Sequence, residues 1–329
     1  MSKLLTVFGA TGNQGGSVIS TVLAHSVLSK QFKLRGITRD PSKPSGQALA
    51  AKGVEVVKAD LTDPASLQAA LKGSYAVFAV TNFWESMSKS TEVTQGRNIA
   101  DACAAVGVKH LIWSTLPHVT ELTNGVLPHV DHFDGKAEVD RYIRKLGVPV
   151  TSFVPGFYVS NLGAMLRKVS CYPPPRSPDG GACNADWTWK GDDGAYALTW
   201  PVPSSSKFPF FSAATDTGKF VASILLRGEE LLGATVYGAS GWWSGDEVIE
   251  TFKKVTGKPA QYLELPADVW KGFIPNETTA QEMYENFLLV RDYKYFGPEG
   301  AEEGVAKAIE RLDEKPLSLE EWIKGETWA

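Results

Sequence analysis

Lys3-Leu4-Leu5-Thr6-Val7-Phe8-Gly9-Ala10-Thr11-Gly12-Asn13-Gln14-Gly15-Gly16 carries an apolar run straight into a glycine-rich turn. Residues 3–8 read as a buried strand and residues 13–28 as a helix, so the glycines fall where strand gives way to helix. In that setting Gly9 suits a tight turn and Gly12 lets the backbone approach a diphosphate. Either Gly15 or Gly16 lets the helix pack close on the strand. The free N–H groups and the positive dipole end at the start of the helix suit phosphate. The plain alternative is a tight β-to-α turn with no ligand.

Outward from that turn the alternation continues. Further strands are expected at 32–38, 54–58, 75–80, 110–114 and 150–154, with helices at 92–106 and 135–146. Asp63-Pro64 opens another helix, because Asp caps free N–H groups and Pro at the first helical position needs none. Strands spaced by helices predict βαβ units in a doubly wound parallel sheet over residues 1–154. Residues 155–329 predict a smaller α+β lobe, interleaved with the first domain and built onto the edge of its sheet. Pro173-Pro174-Pro175, Asp179-Gly180-Gly181 and Gly191 to Gly194 break residues 171–202 into loops and short strands. A helix is expected at 215–227 and a strand at 234–237. Ser244-Gly245-Asp246-Glu247 and Ser318-Leu319-Glu320-Glu321 read as capping boxes.

Composition narrows the function classes. In 329 residues, 43% hydrophobic and 21% charged content is that of a folded globular chain. No apolar run reaches the roughly 18 residues a membrane span needs, and the N-terminus lacks a cleavage-site pattern. A cytoplasmic protein is expected, with the nucleus as a further option. The net charge of −4 gives no footprint for direct nucleic-acid binding. Cys103, Cys171 and Cys183 are odd in number and lack CxxC spacing, which fits a reducing compartment. The five histidines all lie at or before His132, too few and too scattered for a metal centre.

The end of the second strand reads Ile37-Thr38-Arg39-Asp40-Pro41-Ser42-Lys43. NAD binders usually place an acid here for the ribose 2′-OH, whereas a basic residue accommodates a 2′-phosphate. Arg39, with Lys43 one turn on, therefore predicts NADP(H), the alternative being a solvated surface arginine. Pro41 holds Asp40 in an extended segment that turns it away. Asp60-Leu61 would flank the adenine, cap the next helix, or both. Thr81-Asn82-Phe83 follows the fourth strand, where such a sheet opens its ligand crevice. Phe83 and Trp84 read as core or as a lid over the nicotinamide.

Together these residues resemble the NmrA-like family of atypical short-chain dehydrogenases, and within it the redox-sensor branch. The likeness rests on Val7 to Gly16, Thr38-Arg39-Asp40-Pro41, Val80 to Ser86 and His132-Phe133-Asp134-Gly135-Lys136. Gly147-Val148-Pro149 and Pro155-Gly156-Phe157-Tyr158, leading to Asn161, also fit. The resemblance is specific to about residue 165. It implies a Rossmann-type domain with Gly9, Ala10, Thr11, Gly12, Asn13 and Gln14 at the diphosphate and Arg39 to Lys43 at the 2′-phosphate. It further implies Asp60 and Leu61 at the adenine. Thr81, Asn82, Phe83, Lys136, Pro155, Phe157 and Tyr158 would line the nicotinamide half. Near relatives often carry lysine where this chain has Thr94, and the stretch 183–193, with Trp187 and Trp189, looks like added material.

Typical short-chain dehydrogenases place Tyr and Lys four apart on one helical face. This chain has His132-x-x-x-Lys136 there. Lys136, His132 and Tyr158 are the candidate proton donors, although Asp131 and Asp134 beside His132 also fit a charged surface. The missing tyrosine favours an NADP(H)-sensing regulator that acts through a protein partner. The tryptophan-rich second half, with eight of the ten tryptophans beyond residue 150, fits a reductase with a small apolar substrate. Its substrate would be a carbonyl, quinone, imine or enone. A third class, an interaction module that binds nothing small, runs against the intact phosphate loop.

Overall fold

The computed structural model describes residues 2–168, 195–297 and 301–328. Cys171, Cys183, the proline run at 173–175 and Trp187 and Trp189 lie outside the described residues.

The strands β1 (Lys3–Val7), β2 (Phe32–Thr38), β3 (Glu55–Lys58), β4 (Ala76–Ala79), β5 (His110–Ser114) and β6 (Val150–Pro155) form a parallel sheet. A seventh strand, Thr235–Gly238, joins it beside β6, giving the order Thr235–Gly238, β6, β5, β4, β1, β2, β3. This is the doubly wound Rossmann-type arrangement expected above, with the order reversing between β1 and β4. The central strands β4, β5 and β6 are buried along their whole length, as parallel strands covered on both faces must be. In β4, Ala76 and Phe78 enter the layer under helices Asn13–Ala24 and Thr217–Arg227. Val77 and Ala79 enter the opposite layer, under Pro64–Leu71, Lys89–Val106 and Asp131–Leu146.

Three boundaries differ from expectation for identifiable reasons. The first helix stops at Ala24, because the His25 ring Nδ1 accepts from the backbone of Val27 and Leu28 at 3.2 and 3.3 Å. Helix Lys89–Val106 begins early, capped by Ser88 through the Thr91 N–H. Helix Asp131–Leu146 also begins early, with no local side-chain cap. Its His132 N–H is instead satisfied at 2.8 Å by Glu282, 150 residues away. The expected caps at Asp63, Ser244 and Ser318 are all present.

The second half is threaded through the first. Helix Thr217–Arg227 lies against Asn13–Ala24 so closely that a Cβ at Gly218 would sit 2.1 Å from the Thr21 hydroxyl oxygen. The Gly218 N–H donates to Ser17 Oγ at 2.9 Å. Beyond the main sheet, two three-stranded sheets among the described residues carry an aromatic core. Trp200, Phe208, Phe210, Phe252 and Phe287 are buried there, each contributing about 1.5–3 kcal/mol by leaving water. No helix among the described residues is long and apolar enough to cross a membrane.

A Cβ at Gly96 would lie 2.5 Å from Val139 Cγ2, where helices Lys89–Val106 and Asp131–Leu146 cross. Gly96→Ala should cost about 1–3 kcal/mol by overpacking, and adding Val139→Ala should recover part of it, as read by urea unfolding. His110 is buried in β5 beside Thr151, with Nε2 2.7 Å from the hydroxyl. Burial pushes its pKa down to about 4, against about 6.5 in an unfolded chain. The unfolded chain therefore takes the proton first, and stability should fall as pH drops from about 6.5 to about 4. His110→Gln should flatten that acid limb in urea midpoints measured across it.

Candidate functional site

A cavity of about 790 Å³ runs along the C-terminal ends of the parallel strands, in the crevice where doubly wound sheets take ligands. Its size suits a small molecule or dinucleotide.

The glycine loop forms one wall. Gly9 has φ +60°, a left-handed conformation that a side chain resists, and its carbonyl accepts the Gly12 N–H at 2.9 Å. A Cβ at Gly15 would fall 2.3 Å from the Gly9 oxygen, whereas one at Gly16 meets nothing nearer than 3.7 Å. Gly15 is therefore the close-packing glycine. A Cβ at Gly12 has ordinary room, 3.4 Å from Gly9 O, so added bulk there would enter the cavity and leave the fold in place. Gly12 caps the helix without a side chain, and the first turn holds no acid. The orphan N–H groups of that turn are thus free to meet an anion.

Toward β2 and β3 the wall is Thr38, Arg39, Ala59, Asp60, Leu61 and Thr62. Arg39 reaches over to an ion pair with Glu85 in the short helix Phe83–Ser86, both side chains well exposed. Asp60 accepts from Thr62, N–H and hydroxyl, at 2.8 and 2.7 Å. These bonds hold its carboxyl below the usual carboxylate range. Asp40 is absent from the wall and accepts from Ser42.

At the other end, near β6, Lys136 is buried with 9% exposure. Its ammonium forms an ion pair with Glu92 and donates to Thr81, to the hydroxyl at 3.2 Å and the carbonyl at 3.3 Å. Thr81 also donates to the same Glu92 oxygen, Oε1. The Tyr158 hydroxyl accepts from Gln14 Nε2 at 2.6 Å, and Gln14 Oε1 accepts from Ser114 at 2.9 Å. Burial pushes the Tyr158 phenol up to about 12, against the opposing hydrogen bond from Gln14, so it stays protonated. His132 is held by Glu282, with Nδ1 2.6 Å from Oε1, and its ring lies against Trp84 with centroids 4.9 Å apart.

The structure brings most of the expected residues into one wall: Gly9, Thr11, Gly12, Asn13, Gln14, Arg39, Asp60, Leu61, Thr81, Asn82, Phe83, His132, Lys136, Pro155, Phe157 and Tyr158. Ala10 lies beneath the wall in the core, and Lys43 sits outside it, exposed, as the cap of helix Pro44–Ala51. Thr94 is also exposed and bonded to its own helix. Phe83 and Trp84 divide between the two expected roles: Phe83 is buried and Trp84 is 44% exposed at the rim. His132 does not stand on the surface that Asp131 and Asp134 suggested: its side chain is 12% exposed, and its carboxylate partner is Glu282. Asp134 instead accepts from the backbone of Val119 at 2.6 Å. Met283, Asn286 and Tyr295 complete the wall from the second half. No local motif marked them.

The NmrA-like family model matches residues 1–323. The NmrA-like family domain-containing oxidoreductase ptmS of Penicillium ochrochloron is 32% identical over 320 residues, spanning 93% of this chain and 90% of the relative. Among solved structures, the negative transcriptional regulator NmrA in complex with NADP superposes with a TM-score of 0.75 at 19% identity, over 98% of this chain and 95% of that one. The NADPH-dependent quinone oxidoreductase of Escherichia coli complexed with NADPH gives 0.71 at 21%, over 97% and 98%.

The two loop glycines should respond in opposite ways. Gly12→Val should leave the melting temperature within a degree or two, roughly the span of a neutral substitution, yet abolish NADPH binding in a calorimetric titration. Gly15→Ala should lower the melting temperature outright.

Proposed function

This chain belongs to the NmrA-like family, and from that premise we propose that it is an NADP(H)-dependent oxidoreductase acting on a small carbonyl, quinone, imine or enone. The observation that carries the reading is the placing of the Lys136 side chain, held by Glu92 and Thr81, and the Tyr158 hydroxyl, held by Gln14, in the cavity wall beyond the glycine loop. The name of the 32% identical relative supports an enzyme. The likeness to NmrA, at 19% identity, is one of fold, so the regulator reading stands second.

The residues present fit the dinucleotide. The cradle at Gly12, empty of side chain, and the uncapped helix start suit the diphosphate, and the Arg39 fork suits a 2′-phosphate. Arg39 now meets Glu85, but exposed pairs of this kind contribute only about 0–1 kcal/mol, so exchanging the carboxylate for a phosphate costs little. When bound, reduced nicotinamide supplies a hydride. The chain's part is to hold the acceptor, exclude water and deliver one proton to its heteroatom. Gln14 donates to the Tyr158 oxygen, which leaves the phenol's own proton free to move to the acceptor. The resulting phenolate keeps the Gln14 hydrogen bond until water returns the proton. Lys136, fixed by Glu92 and Thr81, orients the ribose of the nicotinamide half.

Two measurements test this. Arg39→Ala should raise the NADPH dissociation constant about 10-fold or more, the weight of a charge-assisted bond, while NADH changes little; equal losses would remove the 2′-phosphate assignment. Tyr158→Phe should cut kcat by about 10²–10⁴ with NADPH affinity kept. Because Tyr158 titrates near 12, wild-type kcat should stay level from pH 6 to about 10. A fall near neutral pH would make histidine the acid, and nucleotide binding without turnover of any carbonyl, quinone, imine or enone would favour the regulator.

A further inference from the structure

Apart from His132, the ionisable wall of the large cavity among the described residues is two cations, Arg39 and Lys136, and two carboxylates, Asp60 and Glu85. Lys136 is buried and committed to Glu92. Lys43 stands outside the wall. A 2′-phosphate arriving there thus has one cation to take, Arg39, and Arg39 is already paired with Glu85. Neither side chain of that pair has another hydrogen-bond partner among the described residues. Asp60, by contrast, is occupied by the N–H and hydroxyl of Thr62.

The topology makes this pair more than a surface contact. In the main sheet β1 lies between β4 and β2. Arg39 follows β2, and Glu85 follows β4 in helix Phe83–Ser86, so the two meet across the end of β1, where the glycine loop begins. Phe83 is buried and the Trp84 ring lies against His132, which holds the Glu85 carboxylate within reach of Arg39. With side-chain exposures of 71% and 49%, both groups are open to an arriving ligand. A phosphate competes with a carboxylate for the same guanidinium, whereas an uncharged ribose hydroxyl does not displace one. We infer that Glu85 is a specificity-determining residue of the nucleotide site: a 2′-phosphate must displace it from Arg39, a 2′-hydroxyl leaves it in place, and it thereby narrows the preference for NADP(H) over NAD(H). The inference rests on reading Arg39 as the 2′-phosphate ligand, and the experiment below separates the two.

The probes are NADP⁺ and NAD⁺, titrated by calorimetry into nucleotide-free protein. Glu85→Gln and Glu85→Ala should each tighten NADP⁺ by about 2- to 5-fold, the range an exposed ion pair supports, while NAD⁺ gains nothing. Melting temperatures should stay within about a degree or two, as for a neutral surface change, so the gain is not one of folding. In an Arg39→Ala background the same Glu85→Gln change should alter NADP⁺ affinity less than about 1.5-fold, because no cation is left to release. The inference is overturned if neither Glu85 variant binds NADP⁺ more tightly than the parent. It is equally overturned if NAD⁺ gains as much as NADP⁺, or if the gain persists in full without Arg39. Weaker NADP⁺ binding in Arg39→Ala with no gain in the Glu85 variants would keep the 2′-phosphate assignment and remove the role of Glu85 alone. Arg39→Ala binding NADP⁺ like the parent, or a parent that binds no NADP⁺, would remove the assignment and the inference together.

Discussion

The site depends on a buried ion pair between two helices that cross at van der Waals distance. Glu92 and Lys136 come from Lys89–Val106 and Asp131–Leu146, and their charges meet only because small residues let the helices approach. Gly96, one turn beyond Glu92, faces Val139; Gly135, beside Lys136, would put a Cβ 3.3 Å from Glu92 Cγ. Burying two charges is costly unless both are well bonded. Lys136 has two Thr81 contacts besides the carboxylate, while Glu92 leaves Oε2 without a partner. An apolar pair of similar volume would pack as well there. What it could not do is present a cation to the end of β4, where the cavity opens.

The tie to Thr81 links this helix pair to the sheet. Thr81 follows β4, next to β1 and its glycine loop, so the position of the ammonium relative to that loop is set by strand register and helix crossing together. Gln14 adds a second link: from the first turn after the loop it reaches Ser114 at the end of β5 and Tyr158 beyond β6. Two hydrogen-bonded clusters thereby tie three strand ends and three helices together around the cavity. A side chain anchored on several rigid elements loses little entropy when a ligand arrives, which is how binding sites gain affinity without new contacts.

The parts legible in the sequence were those with local causes. The strand and glycine-loop pattern of β1, the apolar runs of β2 to β6, the Asp63 cap and both capping boxes are each decided within a few residues. The residues of the cavity wall contributed by strand ends followed from that topology, because a parallel sheet fixes where its crevice lies. What escaped was nonlocal. The start of helix Asp131–Leu146 is set by a carboxylate 150 residues on, and nothing near His132 announces Glu282. Met283 and Asn286 lie in helix Glu277–Leu288 and Tyr295 beyond it, a stretch for which the sequence offered no motif, and their role depends on where that helix docks. Lys43, though one turn beyond Arg39, stands exposed at the start of helix Pro44–Ala51 and outside the wall, a placement that spacing alone does not reveal.

The distribution of charge along the cavity separates its two ends. Near β2 and β3 the ionisable groups are exposed and loosely paired, Arg39 with Glu85 at the rim, so an incoming phosphate can displace a carboxylate at small cost. Near β6 they are largely covered and already paired, Lys136 with Glu92 and His132 with Glu282, among rings and the neutral hydrogen bonds of Gln14, Ser114 and Tyr158. Displacing Glu92 there would leave the buried Lys136 ammonium without its carboxylate, a loss of several kcal/mol. The cavity is thus graded from an end that can exchange anions to an end that cannot. A reduced dinucleotide with a 2′-phosphate at its adenine end, the diphosphate at its middle and the uncharged dihydronicotinamide at the other extremity fits that gradient in one orientation only.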